Sequence, residues 1–288
     1  MTSTITESFP SIPLEELVAG IAGYDALQLP QKLAFLSRLV DAHVTLSLVW
    51  GPGWSFRRAR RLEAGSRPEK VDDLIWRKGT LAALGRANPV GFDVLYVADR
   101  MNTALSEARA VHYRVAVAEF AIRAGRQTRI PPIGEFAQIQ RTGRGHLSGD
   151  ASAAITGTMN ACSPDEGLAL VLTDSFLLEV FLNDDSYLCS SHIARALFAK
   201  NDAMRVIAFP SRRLVGALNF AVRVDTFWQD WALVGARAGE ARHLGCSFYQ
   251  LGNVQAIDGV YVDGTLRWQA VADREKILIE PYWPISEH

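Results

Sequence analysis

The stretch VLYVADRMNTALSE, residues 94–107, decides how the fold is read. Val94-Leu95-Tyr96-Val97-Ala98 is compact and rich in branched and aromatic side chains, the composition that favours a strand. Asn102 or Thr103 can then cap a helix, because either side-chain oxygen can accept from the exposed N–H groups of a first turn. That helix runs past Glu107 and holds the carboxylate in its first turns. A strand that feeds directly into a helix can turn the Tyr96 ring and the Glu107 carboxylate toward one cleft. Taken singly, each has an ordinary reading: Glu107 as a favourable first-turn charge and Tyr96 as core.

Working outward, Gly51-Pro52-Gly53 is a breaker, followed by Trp54-Ser55-Phe56-Arg57-Arg58-Ala59-Arg60, read as a strand. Alternation along a strand puts Arg58 and Arg60 on one face, while Arg57 and Arg61 do not both join them. Residues 62–80 read as a short helix and loop. In Gly85-Arg86-Ala87-Asn88-Pro89, Gly85 and the later Gly91 leave room for close backbone approach around Arg86. Toward the N-terminus, Pro13 opens a helix over roughly 14–22 and Pro30 a second over roughly 31–49. Leu33, Leu36, Val40 and Val44 give the second an apolar face. Downstream, 115–122 reads as a strand, the Gly/Ser/Thr/Ala-rich 141–165 as a flexible loop, and 190–200 as a helix. Val206-Ile207-Ala208-Phe209 is a strand that ends at Pro210-Ser211. Asp263-Gly264, between Val260-Tyr261-Val262 and Thr265-Leu266-Arg267-Trp268, predicts a hairpin with a type I′ turn. There is no internal repeat and no regular β-α-β alternation, so the class is α+β. The expected segments are a helical N-terminal extension over 1–50, a main domain over 51–240 and a C-terminal β-hairpin extension over 241–288.

The composition excludes several classes. The 288 residues are 49% hydrophobic and 21% charged, with a formal net charge of -1, so no global field draws the chain to nucleic acid or to an acidic membrane. The arginine run 57–61 carries no nucleic-acid motif. Cys162, Cys189 and Cys246 are odd in number and widely spaced, which suits free thiols in a reducing compartment. His43, His112, His146, His192, His243 and His288 show no ligand spacing, and no metal site is expected. The N-terminus lacks a basic n-region and an apolar h-region. The apolar stretch 39–50 is interrupted by Asp41 and His43 and is too short to span a bilayer. A cytoplasmic protein is expected, although export by a dedicated secretion system would leave no mark here. Gly143-Arg144-Gly145-His146-Leu147-Ser148-Gly149 places its third glycine one position too late for a dinucleotide fingerprint. It is read as a mobile loop. No serine sits in a nucleophile elbow.

Phe56-Arg58, Gly85-Arg86-Ala87-Asn88, Tyr96-Val97-Ala98, Thr103-Ala104-Leu105-Ser106-Glu107 and Pro210-Ser211 occur in the order of the RES-domain pattern, named for its Arg, Glu and Ser. The chain resembles that family over roughly residues 54–235, most specifically in the middle block. The resemblance implies a fold similar to the ADP-ribosyltransferases, a mixed β core with helices, and cleavage of the nicotinamide–ribose bond of NAD+ as substrate. Carried onto this sequence, it gives Glu107 the stabilisation of positive charge on the ribose, and Arg58 and Arg86 the diphosphate. Tyr96 then stacks on nicotinamide or holds a ribose hydroxyl, Asn88 joins the NAD+ contacts, and Ser211 bonds the ribose or the amide. These residue types suit the chemistry: a carboxylate stabilises an oxocarbenium-like centre more in the transition state than in the ground state, and guanidinium is a planar, permanently charged diphosphate donor. ADP-ribose could pass to water, to phosphate (a glycohydrolase or phosphorylase) or to a protein. The resemblance further implies a toxin and an antitoxin or immunity partner. A rival from another class is a non-catalytic binding or assembly module.

Overall fold

The elements follow from local pattern. The computed structural model describes residues 4–271. Its first helices are α1 Ile5–Ser8, α2 Leu14–Gly23 and α3 Leu29–Ala42, followed by the strands β1 Leu48–Trp50, β2 Ser55–Leu62 and β3 Val94–Ala98. Next come α4 Met101–Glu107, β4 Arg114–Ile122, β5 Thr128–Ile130, α5 Glu135–Thr142, α6 Ser152–Asn160, α7 Pro164–Asn183 and α8 Leu188–Lys200. The remainder are β6 Val206–Pro210, β7 Leu218–Arg223, α9 Phe227–Asp230, β8 Trp231–Gly245, β9 Phe248–Val260 and β10 Leu266–Ala270. Helices and antiparallel strands together make the expected α+β fold. The last part of the expected C-terminal segment, 272–288, lies outside the described residues.

The chain divides into two compact units. One gathers the chain up to Leu48, Leu81–Phe92 and Arg129–Phe209; the other gathers Val49–Thr80, Asp93–Thr128 and the chain from Pro210. The first unit is mainly helical. Leu17, Leu36, Leu39, Val40, Leu177, Phe181, Ile193, Leu197 and Phe198 are buried in it. Pro13 stands at the N-cap of α2 and Pro30 in the first turn of α3, where a missing N–H costs nothing. α3 stops at Ala42 rather than continuing toward 49, because His43 turns to extended backbone (φ -70, ψ 130). The buried His43 ring meets Asp174, Nε2 to Oδ1, at 3.3 Å. Asp174 also accepts from Gly134 N (3.1 Å) and Ala137 N (3.0 Å), so it closes the start of α5.

The region 141–165 is a second correction. It is ordered and largely helical: α5 ends in it, a short 3-10 turn spans Gly149–Ala151, and α6 and the start of α7 follow. The cause is Glu135, 1% exposed. Its carboxylate accepts from His146 N (2.9 Å), Leu147 N (2.9 Å) and Ser148 N (2.7 Å), so the Gly143–Gly149 stretch is tied down rather than mobile. A Cβ at Gly145 would lie 2.2 Å from Glu135 Oε1, which explains the glycine.

The second unit is built on an antiparallel sheet in the order β10-β9-β8-β4-β2-β3-β7. Phe56, Phe120, Phe220 and Trp231 are fully buried here, with Phe56 packed edge-on against Phe220 and Trp231. On the face that carries Ala59, Val115, Val117 and Ala241, α4 packs through Leu105. The C-terminal hairpin is present, but its turn differs from the expected type I′. Tyr261 O accepts from Gly264 N (2.9 Å), and Tyr261 N donates to Thr265 O (2.9 Å). Of the residues at the turn only Gly264 has positive φ (84°), which is a type I turn closed by a left-handed glycine. The two-residue turn with both φ positive is instead Cys246 (48°) and Ser247 (63°), between β8 and β9.

Candidate active site

Glu107 closes α4, a helix of seven residues. It therefore sits in the last turn rather than the first, where the helix dipole disfavours a carboxylate. Donors from β7 and the segment before it offset this. Ser211 Oγ donates to Glu107 Oε1 at 2.6 Å, and Asn219 Nδ2 donates to the same oxygen at 2.7 Å. The second oxygen, Oε2, has Arg213 Nε at 3.8 Å. The Glu107 side chain is 34% exposed, so the carboxylate is held by two short hydrogen bonds on one oxygen and only loosely, by Arg213, at the other.

Each partner is fixed by its own backbone. Ser211 follows β6, and its N–H donates to Ala217 O (2.8 Å), pinching 211–217 into a closed loop. Ser211 Oγ also accepts from Arg213 N (3.0 Å) and Leu214 N (3.1 Å), which turns the hydroxyl proton toward Glu107. Asn219 pairs across to Ala98, and Tyr96 to Ala221. Tyr96 and Asn219 therefore stand on one face of the sheet as diagonal neighbours, about 7 Å apart.

The same register sorts the arginines. Arg57 pairs with Ala98, so Arg57 is on the face of Tyr96 and Asn219, and Arg58 is on the other. Arg57 meets Glu119 at 3.2 Å and donates to Ser55 O at 2.7 Å. Arg58 reaches the Tyr96 carbonyl (3.3 Å), while its buried Nε has no hydrogen-bond partner. Burial, with Arg60 beside it, pulls the Arg58 guanidinium down to about 9, still a cation at neutral pH. In the first unit, Arg86 donates to Phe181 O and Leu182 O, the closing carbonyls of α7, and lies over the Tyr187 ring at 5.0 Å. Asn88 is buried and donates to Ala83 O (2.8 Å), within a turn closed by reciprocal Gly85–Asn88 backbone bonds.

Of the residues expected from sequence, Glu107 and Ser211 are in direct contact, and Tyr96 shares the Asn219 face. Asn219 and Arg213 were not expected. The one signal for Asn219 was a polar residue inside the apolar run Leu218–Val222. Among the described residues no cluster of three or more His, Cys, Asp or Glu could hold a metal, and no helix is long and apolar enough to cross a membrane.

The RES domain family model matches residues 57–232. The chain belongs to the RES-domain family. That family is associated with NAD+-acting enzyme toxins. The match of this RES-domain chain begins at Arg57 and closes just after α9, so it takes in both units. Neither the curated proteins nor the solved structures contain a match to the chain.

Proposed function

We propose that this RES-domain protein cleaves the nicotinamide–ribose bond of NAD+ and passes ADP-ribose to water or phosphate. The observation that carries the reading is the state of Glu107: Oε1 is saturated by Ser211 and Asn219, Oε2 has only the long 3.8 Å ion pair to Arg213, and the side chain is 34% exposed. As the bond to nicotinamide lengthens, positive charge grows on the ribose ring and the departing base becomes neutral. A carboxylate held in advance, with one oxygen turned to that charge, stabilises the transition state without reorganising. Tyr96, on the same face, supplies an aromatic surface for the nicotinamide ring or a hydroxyl for the ribose. Arg57 shares that face, and its ion pair with Glu119 and its bond to Ser55 O would have to give way for it to hold the diphosphate. Arg58, Arg86 and Asn88, which the sequence pattern also gives to NAD+, are partly or wholly engaged by backbone carbonyls within their own units. A toxic activity of this kind calls for a protein partner that restrains it.

Incubation of the purified protein with NAD+ and chromatography of the products tests this. Free nicotinamide, absent with Glu107→Gln, is expected; ADP-ribose or ADP-ribose 1-phosphate identifies the acceptor. No nicotinamide above the Glu107→Gln level refutes the reading, and label from NAD+ fixed on a protein instead would assign a protein acceptor.

A further inference from the structure

Asp99 follows β3 and is 8% exposed. Its Oδ1 accepts from Thr103 Oγ1 at 2.7 Å, in the first turn of α4. Its Oδ2 accepts from Leu218 N at 3.1 Å, and its own N–H donates to Leu218 O at 3.0 Å. One side chain thus joins the beginning of α4 to the beginning of β7. At the far end of the same short helix, Glu107 is bonded to Asn219, the residue after Leu218. Ser211 is tied in through its backbone bond to Ala217, the residue before Leu218. The contacts form a closed ring: Asp99 to Thr103, along α4 to Glu107, to Ser211 and Asn219, and through 217–219 back to Asp99.

We propose that Asp99 is a positioning residue for the reaction: by clamping α4 to 217–219 it sets the direction in which the loosely held oxygen of Glu107 points. The inference rests on the NAD+-cleaving reading for its kinetic part and on geometry alone for the rest. Within a ring, a helix of two turns cannot shift along the sheet without breaking a bond at one end. With the Asp99 bonds gone, α4 keeps its apolar packing through Leu105 but loses its fixed height above β7. Asp99 touches no substrate. Its loss therefore lowers kcat and leaves KM in place, the pattern of an interaction realised only in the transition state. Burial also raises the Asp99 carboxyl above the usual range, chiefly through lost hydration. An amide of the same shape is then an adequate substitute: its oxygen accepts from Leu218 N–H while the Thr103 hydroxyl turns to accept from its nitrogen.

The test compares Asp99→Ala, Asp99→Asn and Thr103→Val in nicotinamide release, together with the side-chain amide resonances of Asn219 by NMR. Asp99→Ala is expected to lose about 100-fold in kcat at unchanged KM, the effect of a displacement on the order of 1 Å, and to shift the Asn219 resonances. Asp99→Asn is expected to restore both. If Asp99→Ala does not fold, Thr103→Val carries the test, because it removes only the bond to α4; loss of kcat with shifted Asn219 resonances supports the clamp. A folded Asp99→Ala, or Thr103→Val, with unshifted Asn219 resonances overturns the proposal, as does Asp99→Asn that is no better than Asp99→Ala. If the wild type releases no nicotinamide above Glu107→Gln, the NAD+ reading fails, and the Asn219 resonances alone decide the clamp.

Discussion

Asn219→Ala isolates the holding of the carboxylate from the carboxylate itself. The substitution removes the 2.7 Å donor to Glu107 Oε1 and leaves the 2.6 Å bond from Ser211. A hydrogen bond to a charged acceptor contributes about 1.5–3 kcal/mol. Glu107 is 34% exposed, so water replaces part of the lost bond, and we take about 1 kcal/mol as the net loss. If that loss falls on the aim of the carboxylate in the transition state, kcat drops about fivefold. Folding stability falls by a similar amount, since Asn219 is 9% exposed, and Tm drops by about 2–4 °C for a chain of this size. Asn219→Asp is harsher at neutral pH, because two carboxylates in contact cannot both ionise without penalty. The assay is steady-state nicotinamide release across pH 5–9, with thermal unfolding on the same samples. Wild-type kcat in Asn219→Ala, or an Asn219→Asp variant as active as wild type at neutral pH, would refute the reasoning.

Three further outcomes are expected. Glu107→Gln, which keeps the shape and removes the charge, should lower kcat by about 100- to 1000-fold while leaving the fold intact; activity within tenfold of wild type removes Glu107 from its role. Arg57→Ala should raise KM for NAD+, whereas Arg58→Met should not, and in urea titration Arg58→Met should be at least as stable as wild type at pH 7, because an incompletely partnered buried cation is gone. The sign follows from burial holding the Arg58 guanidinium at about 9, well below the ordinary arginine range: the penalty is complete below pH 9 and fades as pH rises above it, so the advantage of Arg58→Met shrinks in alkali. Asp174→Ala breaks the buried contact with His43 and uncaps α5, at a cost of about 3–5 kcal/mol. Calorimetry should show Tm lower by about 10 °C, and a fall of under about 3 °C would show that the pair is not holding the helices.

Local pattern alone made the strands around Tyr96 and Phe120, the helices behind Pro13 and Pro30, and the C-terminal hairpin legible, since each depends on neighbours a few residues away. The order of short motifs between Phe56 and Ser211 was enough to point to the family. The errors share a cause. The helix from Leu29 ended early because His43 has a buried partner at Asp174, and the 141–165 region became ordered because Glu135 gathers three N–H groups from it. Neither partner is visible from the segment it constrains. Alternation along residues 54–60 required Arg57 and Arg58 to face opposite ways, but only pairing with Ala98 says which one stands with Tyr96. Asn219 lies 112 positions from Glu107. Their contact exists because β7 lies beside β3, and no local preference encodes which strands become neighbours. Spacing and residue type determined the elements and the chemistry available; strand order and register decided which side chains could act together.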